Sequence, residues 1–261
     1  MKRTIQSGLA AVALVAVATS VNAADLGGSM KDGGYAAPVY SAPAQVGGAS
    51  CYFRSSIGYS WSRDPQVNWT GTTFANEDLG NTWVGASALG CGSAGDRGLR
   101  GELELASRGK RSFKADLTSV PPSLVYQPDD PAHTSVKNYT MMVNAYYDLG
   151  NHGGFVPYVG AGLGGSYNKM SNVYFTGATP YYNEVIGANQ LSLAWALMAG
   201  VEYKFSQRAS IDIGYRYIDM GSVHSDHGDT GNNWNPRFKV DDLAAHELML
   251  GVRYKFCGPT C

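Results

Sequence analysis

The chain has 261 residues, 33 of them Gly and 17 Tyr, with a charged fraction of 16% and a formal net charge of -1. Soluble domains usually carry about 25% charged residues, so many Gly and Tyr with few charges fit a β-rich protein with aromatic belts and exclude an ordinary helical bundle. The near-neutral balance offers no basic surface for nucleic acid.

The N-terminus reads as a targeting segment. Lys2 and Arg3 form a positive start, Leu9 to Ala18 an apolar run, and Val21-Asn22-Ala23 places small residues where a signal peptidase needs them. The apolar run is too short for a bilayer, which needs about 20 residues. Residues 1–23 are therefore expected to be a signal peptide, whose removal leaves 18 basic against 21 acidic residues. Residues 24–50 are rich in Gly, Ala and Pro, low in charge and without period, as in a flexible periplasmic linker.

From Cys51 onward the pattern is a period of two, the signature of strands, because successive strand side chains point to opposite faces. Cys51 to Trp61 sets Phe53, Ile57, Tyr59 and Trp61 against Arg54. Trp83 to Cys91 is a weaker, small-residue strand. Leu99 to Ser107 sets Leu99, Leu103 and Leu105 against Arg100, Glu102 and Glu104. Tyr139 to Asp148 sets Met141, Val143 and Tyr147 against Asn144 and Asp148, and Phe155 to Tyr167 sets Val159 and Leu163 against Gly160, Gly162 and Gly164. Leu191 to Phe205 opposes Leu193, Trp195, Leu197, Val201 and Tyr203 to Glu202 and Lys204. Ala209 to Asp219 opposes Ile211, Ile213, Tyr215 and Tyr217 to Asp212 and Arg216. Leu243 to Phe256 opposes Leu248, Leu250, Val252, Tyr254 and Phe256 to Glu247, Met249, Gly251, Arg253 and Lys255.

These eight segments are joined by connections that alternate in length: 92–98, 149–154 and 206–208 are short, while 62–82, 108–138, 168–190 and 220–242 are long. An even strand number with short turns on one side and long loops on the other is the pattern of an outer-membrane barrel. A soluble sandwich would bury the apolar face and expose the charges; a membrane barrel does the reverse. The polar face carries Arg54, Arg100, Lys204, Arg216, Arg253 and Lys255 against Glu102, Glu104, Asp148, Glu202, Asp212 and Glu247, six of each sign. Aromatics recur near the strand ends, among them Trp61, Trp83, Tyr139, Tyr147, Tyr167, Tyr203, Tyr254 and Phe256, as in interfacial girdles. The expected fold is all-β: an eight-stranded antiparallel transmembrane β-barrel over residues 51–256, with a Cys-containing periplasmic tail at 257–261. A ten-stranded alternative would recruit Ser123 to Tyr126 or Val173 to Val185 as a further membrane hairpin.

Five stretches carry a family resemblance. They are Tyr52-Phe53-Arg54-Ser55-Ser56-Ile57-Gly58-Tyr59, Pro157-Tyr158-Val159-Gly160-Ala161-Gly162-Leu163-Gly164, Gly200-Val201-Glu202-Tyr203, Gly214-Tyr215-Arg216-Tyr217, and the last strand from His246 to Phe256. The chain resembles the eight-stranded outer-membrane β-barrel family, that is, the OmpA-like transmembrane domain and opacity-protein group, and in particular the porin-family outer-membrane proteins of α-proteobacteria. The resemblance implies a bacterial outer-membrane location. It also implies contact with outer-membrane lipid and lipopolysaccharide, and insertion by the barrel assembly machinery through a C-terminal signal whose spacing Gly251, Tyr254 and Phe256 match. It does not imply an activity, since a fold hosts many functions. Met249 departs from the polar residue usual in that signal, and the family's last strand usually ends the chain, whereas Cys257 to Cys261 follow here.

An eight-stranded barrel is just wide enough inside for side chains, so the twelve inward charges are expected to form a salt-bridged plug, with a narrow ion path as the alternative. Cys51, Cys91, Cys257 and Cys261 all map to the short-turn, periplasmic side, where disulfides form. Cys51–Cys91 with Cys257–Cys261 is one pairing, and Cys51–Cys257 is another. His224, Asp226, His227 and Asp229, two or three residues apart, suit a divalent-metal site and equally a hydrated, Gly-rich loop, and no spacing supports a catalytic triad. No cofactor and no enzymatic activity are expected. The functional reading is a structural surface barrel. A small diffusion channel, or a receptor or adhesin meeting host or environmental ligands through its loops, are the alternatives. The long loops hold aromatics that suit such a surface (Trp69, Phe74, Tyr126, Tyr174, Phe175, Tyr181, Tyr182 and Trp234).

Overall fold

The computed structural model describes residues 49–68, 73–93, 95–119, 131–175, 184–225 and 238–257. Eight long strands close on themselves: β1 (Ala49–Ser62), β2 (Thr82–Ser93), β3 (Arg97–Arg108), β4 (Pro131–Leu149), β5 (Phe155–Met170), β6 (Asn189–Lys204), β7 (Ala209–Asp219) and β8 (Ala244–Cys257). Each pairs antiparallel with its sequence neighbours, and β8 pairs back onto β1, Phe53 opposite Tyr254 and Ile57 opposite Leu250. Closure leaves no unpaired edge, the condition for strands to cross a bilayer. Among the described residues no helix is long and apolar enough to cross a membrane; the strands make the crossing.

The polarity is the reverse of a soluble domain's. Val143 is 65% exposed, Leu193 69% and Leu250 51%, while Arg54, Glu102, Asp212 and Arg253 on the alternate positions are all under 7%. The outer surface is thus an apolar band for lipid, and the core is polar. Aromatic rings rim it: Tyr59 stacks edge-on against Trp61 and Trp83 at one end, and Phe155 lies against Tyr203 at the other. The glycines of β5 make room inside. A Cβ added at Gly160 would strike the Tyr146 ring, and one at Gly164 the Met141 carbonyl.

Several boundaries differ from the sequence expectation. β1 begins at Ala49, so the linker ends before Ser50, and β8 includes Cys257, so the tail begins after it. The expected signal peptide, the rest of the linker and residues 258–261 lie outside the described residues. The segments read as long loops contain further strands. Arg111–Ser119 pairs with Thr73–Leu79 on one side and with the upper part of β4 on the other, while Val173–Phe175 pairs with β4 and with Glu184–Val185. This sheet extends the barrel wall beyond the lipid band. A second sheet joins Val223–His224, Lys239–Asp241 and Gln66–Asn68. The ten-stranded alternative fails for its second segment: those two strands hold 3 and 2 residues, against about 9–11 needed to cross. Ser123 to Tyr126 lie outside the described residues.

The two small sheets face each other over an apolar core. Leu79, Phe113, Ala115, Ala132, Val136 and Val173 come from the first, and Val223, Phe238, Val240 and Leu243 from the second or its flanks; all are at most 2% exposed. Phe238 sits between Phe74 and Phe113, with centroids 5.7 and 6.3 Å away. The core continues downward through Met170, Met220, Ile218, Ala194 and Ala196 to the barrel mouth. A folded cap therefore stands over the extracellular opening.

Candidate functional site

The interior of the barrel holds one continuous chain of charges that alternate in sign. It starts near the periplasmic end with Asp148, whose carboxylate is 3.0 Å from Arg100 Nε. Arg100 reaches Glu102 at 2.9 Å, Glu102 reaches Arg54 at 2.9 Å, and Arg54 reaches Glu104 at 2.7 Å. Glu104 pairs with Arg216, Arg216 with Glu247 at 2.6 Å, and Glu247 with Arg108 at 2.6 Å. Two branches leave it: Asp212 at 3.6 Å from Arg54, and Arg253, 4.0 Å from Glu102 and paired with Glu202.

Strand period explains the chain. On β3, Arg100, Glu102, Glu104 and Arg108 all share one parity and therefore one face. The other strands supply partners at matching heights, as Arg216 is opposite Glu247 in register. Phenols knit the chain further. Tyr52 Oη donates to Glu102 at 2.6 Å, and Arg100 lies over the rings of Tyr146 and Tyr158 at 4.1 and 4.8 Å. Strands β2 and β5 contribute mostly small residues to the interior, such as Ala86, Ala88, Gly90 and Gly162, which leaves the volume that the arginines fill. A cavity of about 20 Å³ lined by Arg54, Glu104, Tyr146, Tyr158 and Arg216 remains, room for about one water. Several buried polar atoms, including both amide atoms of Asn144 and Nε of Arg253, have no hydrogen-bond partner among the described residues.

Of the twelve charges expected inside, ten belong to this chain and its branches. Lys204 and Lys255 do not: Lys204 pairs with Asp96 in the β2–β3 turn, and Lys255 is half-buried at the same rim. Long ammonium side chains near a strand end reach outward to water rather than into a packed interior.

Two arginines at the extracellular mouth were not expected. Arg108 and Arg111 are both 0% exposed. Arg108 continues the parity of β3 by one more polar step, a signal the sequence did contain. Arg111 lies beyond Gly109, where the alternation restarts, and no pattern marks it. It has no carboxylate partner among the described residues. Instead it donates to Ser62 Oγ at 2.7 Å and to Asn138 Oδ1. Asn138 in turn donates to Asn168 at 2.5 Å, and Asn168 to the Met220 carbonyl at 2.9 Å.

The remaining candidates are placed as follows. Cys51 and Cys91, opposed in register on β1 and β2, form a disulfide, which excludes Cys51–Cys257; the environment of Cys261 lies outside the described residues. Tyr254 and Phe256 project outward, 51% and 58% exposed, while Gly251 is buried against Asp212. His224 is half-buried in the second cap sheet; Asp226, His227 and Asp229 lie outside the described residues. Among the described residues no three His, Cys, Asp or Glu gather as metal ligands. Of the loop aromatics, Phe74 packs into the cap core and Tyr174 is 50% exposed. The Phe175 side chain and Trp69, Tyr126, Tyr181, Tyr182 and Trp234 lie outside the described residues.

Several known proteins are similar to this chain. The outer membrane protein PagN of Salmonella typhimurium is 34% identical over 135 residues, covering 49% of this chain and 55% of PagN, so the match spans about half of that relative. An uncharacterized protein of Brucella abortus is 26% identical over 94% of this chain and 97% of its own. The crystal structure of neisserial surface protein A shares 22% identity and covers 80% of this chain and 99% of its own, with a TM-score of 0.43. The outer membrane protein beta-barrel domain family matches residues 7–256, and the chain belongs to that family.

Proposed function

We propose that the protein is a closed surface barrel that anchors a folded cap on the bacterial outer membrane and does not act as a diffusion channel. The observation that carries this reading is the unbroken run from ion pairs to apolar core along the barrel axis. The charge chain fills the interior from Asp148 to Arg108. The apolar cluster takes over at Met220, Ile218 and Ala196 and extends to Phe238. A solute path needs a connected polar void, and the interior cavity lined by Arg54 and Glu104 has room for about one water.

Planar-bilayer recording of the purified protein tests it. A sealed barrel gives no stable unitary steps above the bare-membrane background. Reproducible steps that scale with salt concentration would support the channel instead, and the sealed reading would be abandoned.

A further inference from the structure

Among the described residues, Arg111 is the buried arginine that lacks a carboxylate. Its Nη1 donates to Ser62 Oγ at 2.7 Å and its Nη2 to Asn138 Oδ1, while Nε has no partner. Met220 Sδ, 3.9 Å from Nη2, is only a weak acceptor. Ser60 shares the inward face of β1 with Ser62, about 7 Å away along the strand. It is 0% exposed, and its hydroxyl has no partner either. In register Ser60 is opposite Glu247. The step from Ser60 to Ser62 therefore runs from the level of the Arg108–Glu247 pair to that of Arg111. The amides nearby are committed: Asn168 Nδ2 donates to the Met220 and Ser222 carbonyls, and its Oδ1 accepts from Asn138 and Ser166.

The carboxylates at this end are committed as well. Glu247 serves Arg108 and Arg216, and Glu104 serves Arg216 and Arg54. Arg108, Arg111 and Arg216 thus share Glu104 and Glu247, which leaves one positive charge in excess before Arg54 is counted. Burial, and then the charge of Arg108, bring the Arg111 pKa down from its ordinary value to about 10, with Glu247 acting the other way. A water bridging Nε and the Ser60 hydroxyl would satisfy a donor and leave that excess in place. An anion satisfies both donors and removes it, through a charge-assisted hydrogen bond from Nε. The apolar residues above, Met220, Val136 and Leu79, penalise a strongly hydrated or multiply charged ion.

We propose that the junction between barrel and cap binds one small monovalent anion, of the chloride class, between Arg111 Nε and Ser60 Oγ. Both residues are 0% exposed, so the ion enters and leaves as the cap opens, and by mass action it stabilises the closed cap. The site lies above the lumen charge chain and is independent of whether the lumen conducts.

The test uses the full protein in phosphocholine vesicles. Amide hydrogen exchange of the cap strands Thr73–Leu79 and Arg111–Ser119 is compared in sodium chloride and in sodium gluconate of equal ionic strength. Chloride at about ten times its Kd slows exchange through cap opening by about tenfold. Ser60→Ala shrinks that ratio. Arg111→Met keeps the length of the side chain without its charge and abolishes the ratio, with exchange in gluconate no faster than the parent's. Lys114→Gln, at an exposed position on the same strand, keeps the parent ratio. Equal exchange of the parent in the two salts would overturn the proposal. A chloride effect that persists in Arg111→Met would overturn it too, by placing the ion elsewhere. Should Arg111→Met fail to fold, Ser60→Ala decides alone, and a ratio equal to the parent's overturns the site.

Discussion

Glu247 is the residue on which the charge chain can be tested most sharply. It is 0% exposed and takes two bonds from Arg108, at 2.6 and 3.2 Å, and one from Arg216 Nε at 2.7 Å. In Glu247→Gln the volume is kept and the charge is lost. Arg216 keeps Glu104, but Arg108 retains no carboxylate, only the new amide oxygen and Thr140 Oγ1 at 3.1 Å. Removing one partner of a buried ion pair costs roughly 3–5 kcal/mol, because the other charge stays buried without compensation. Since one of the two arginines remains paired, the expected cost is near 3 kcal/mol. Urea unfolding of the vesicle-embedded protein, read by Trp fluorescence and by heat-modifiability on unboiled gels, measures it. With a slope of about 1–3 kcal/mol/M, the midpoint falls by about 1 M or more. Arg108→Met/Glu247→Gln removes the stranded charge as well, so it loses less than the single Glu247→Gln variant, by more than about 1 kcal/mol. A Glu247→Gln midpoint within experimental error of the parent, or a double variant with additive losses, would refute the reasoning that the chain is a dry, coupled network.

Three further outcomes follow from the geometry. Phe238→Ala empties the centre of the cap core at a cost of about 3–5 kcal/mol; protease sensitivity of the cap rises while the barrel midpoint falls by less than that cost, and an equal fall would show one cooperative unit instead. Reducing the Cys51–Cys91 bond, which closes a separation of 40 residues, lowers the urea midpoint by about 2–4 kcal/mol equivalent; an unchanged midpoint with reductant would count against it. Asp96 has its carboxyl held below its ordinary range by hydrogen bonds from Lys204 and Asn151. A lowered folded pKa adds stability above the unfolded value of about 3.9, and that stability is lost as pH falls through the folded value. Asp96→Asn is therefore destabilising at neutral pH, and its cost shrinks as pH falls through the folded value of Asp96; a loss that does not change with pH would contradict the sign.

The barrel was legible in the sequence because a membrane strand writes its two solvents into alternate residues. Leu248, Leu250 and Val252 against Glu247 and Arg253 is a pattern that only a lipid face and a polar interior explain together with the aromatic ends. The interior membership of Arg54 or Asp212 followed from parity alone. The cap was illegible for the opposite reason. Its strands are short, 2 to 9 residues, and their core is assembled from distant pieces, so that Phe113 meets Phe238 only after both sheets have formed. Arg111–Ser119 does carry a strand period, Phe113, Ala115 and Leu117 against Ser112, Lys114 and Asp116, but nothing in it says that the strand belongs to a cap. Lys204 misled because parity assigns a face and does not say how far from the rim a long side chain will travel.

The charge chain and the cap also explain one another. Ion pairs gain most where water is excluded, since the effective dielectric is then low. The side chain of Asp148 at the periplasmic end is 15% exposed, whereas both members of the Arg108–Glu247 pair beneath the cap are 0% exposed. The driest pair is thus the one covered by the apolar cluster. Arg111, farther up the chain, has no carboxylate partner among the described residues and is held by Ser62, Asn138 and, through Asn138, by Asn168 and the Met220 carbonyl. Neutral oxygens take two donors of that buried guanidinium and leave its Nε without a partner among the described residues, while Arg108 below is already neutralised by Glu247. The junction between polar interior and apolar cap is therefore a graded hand-over, from paired charge to dipole-solvated charge to hydrocarbon. The arginine without a carboxylate marks where the barrel ends and the cap begins.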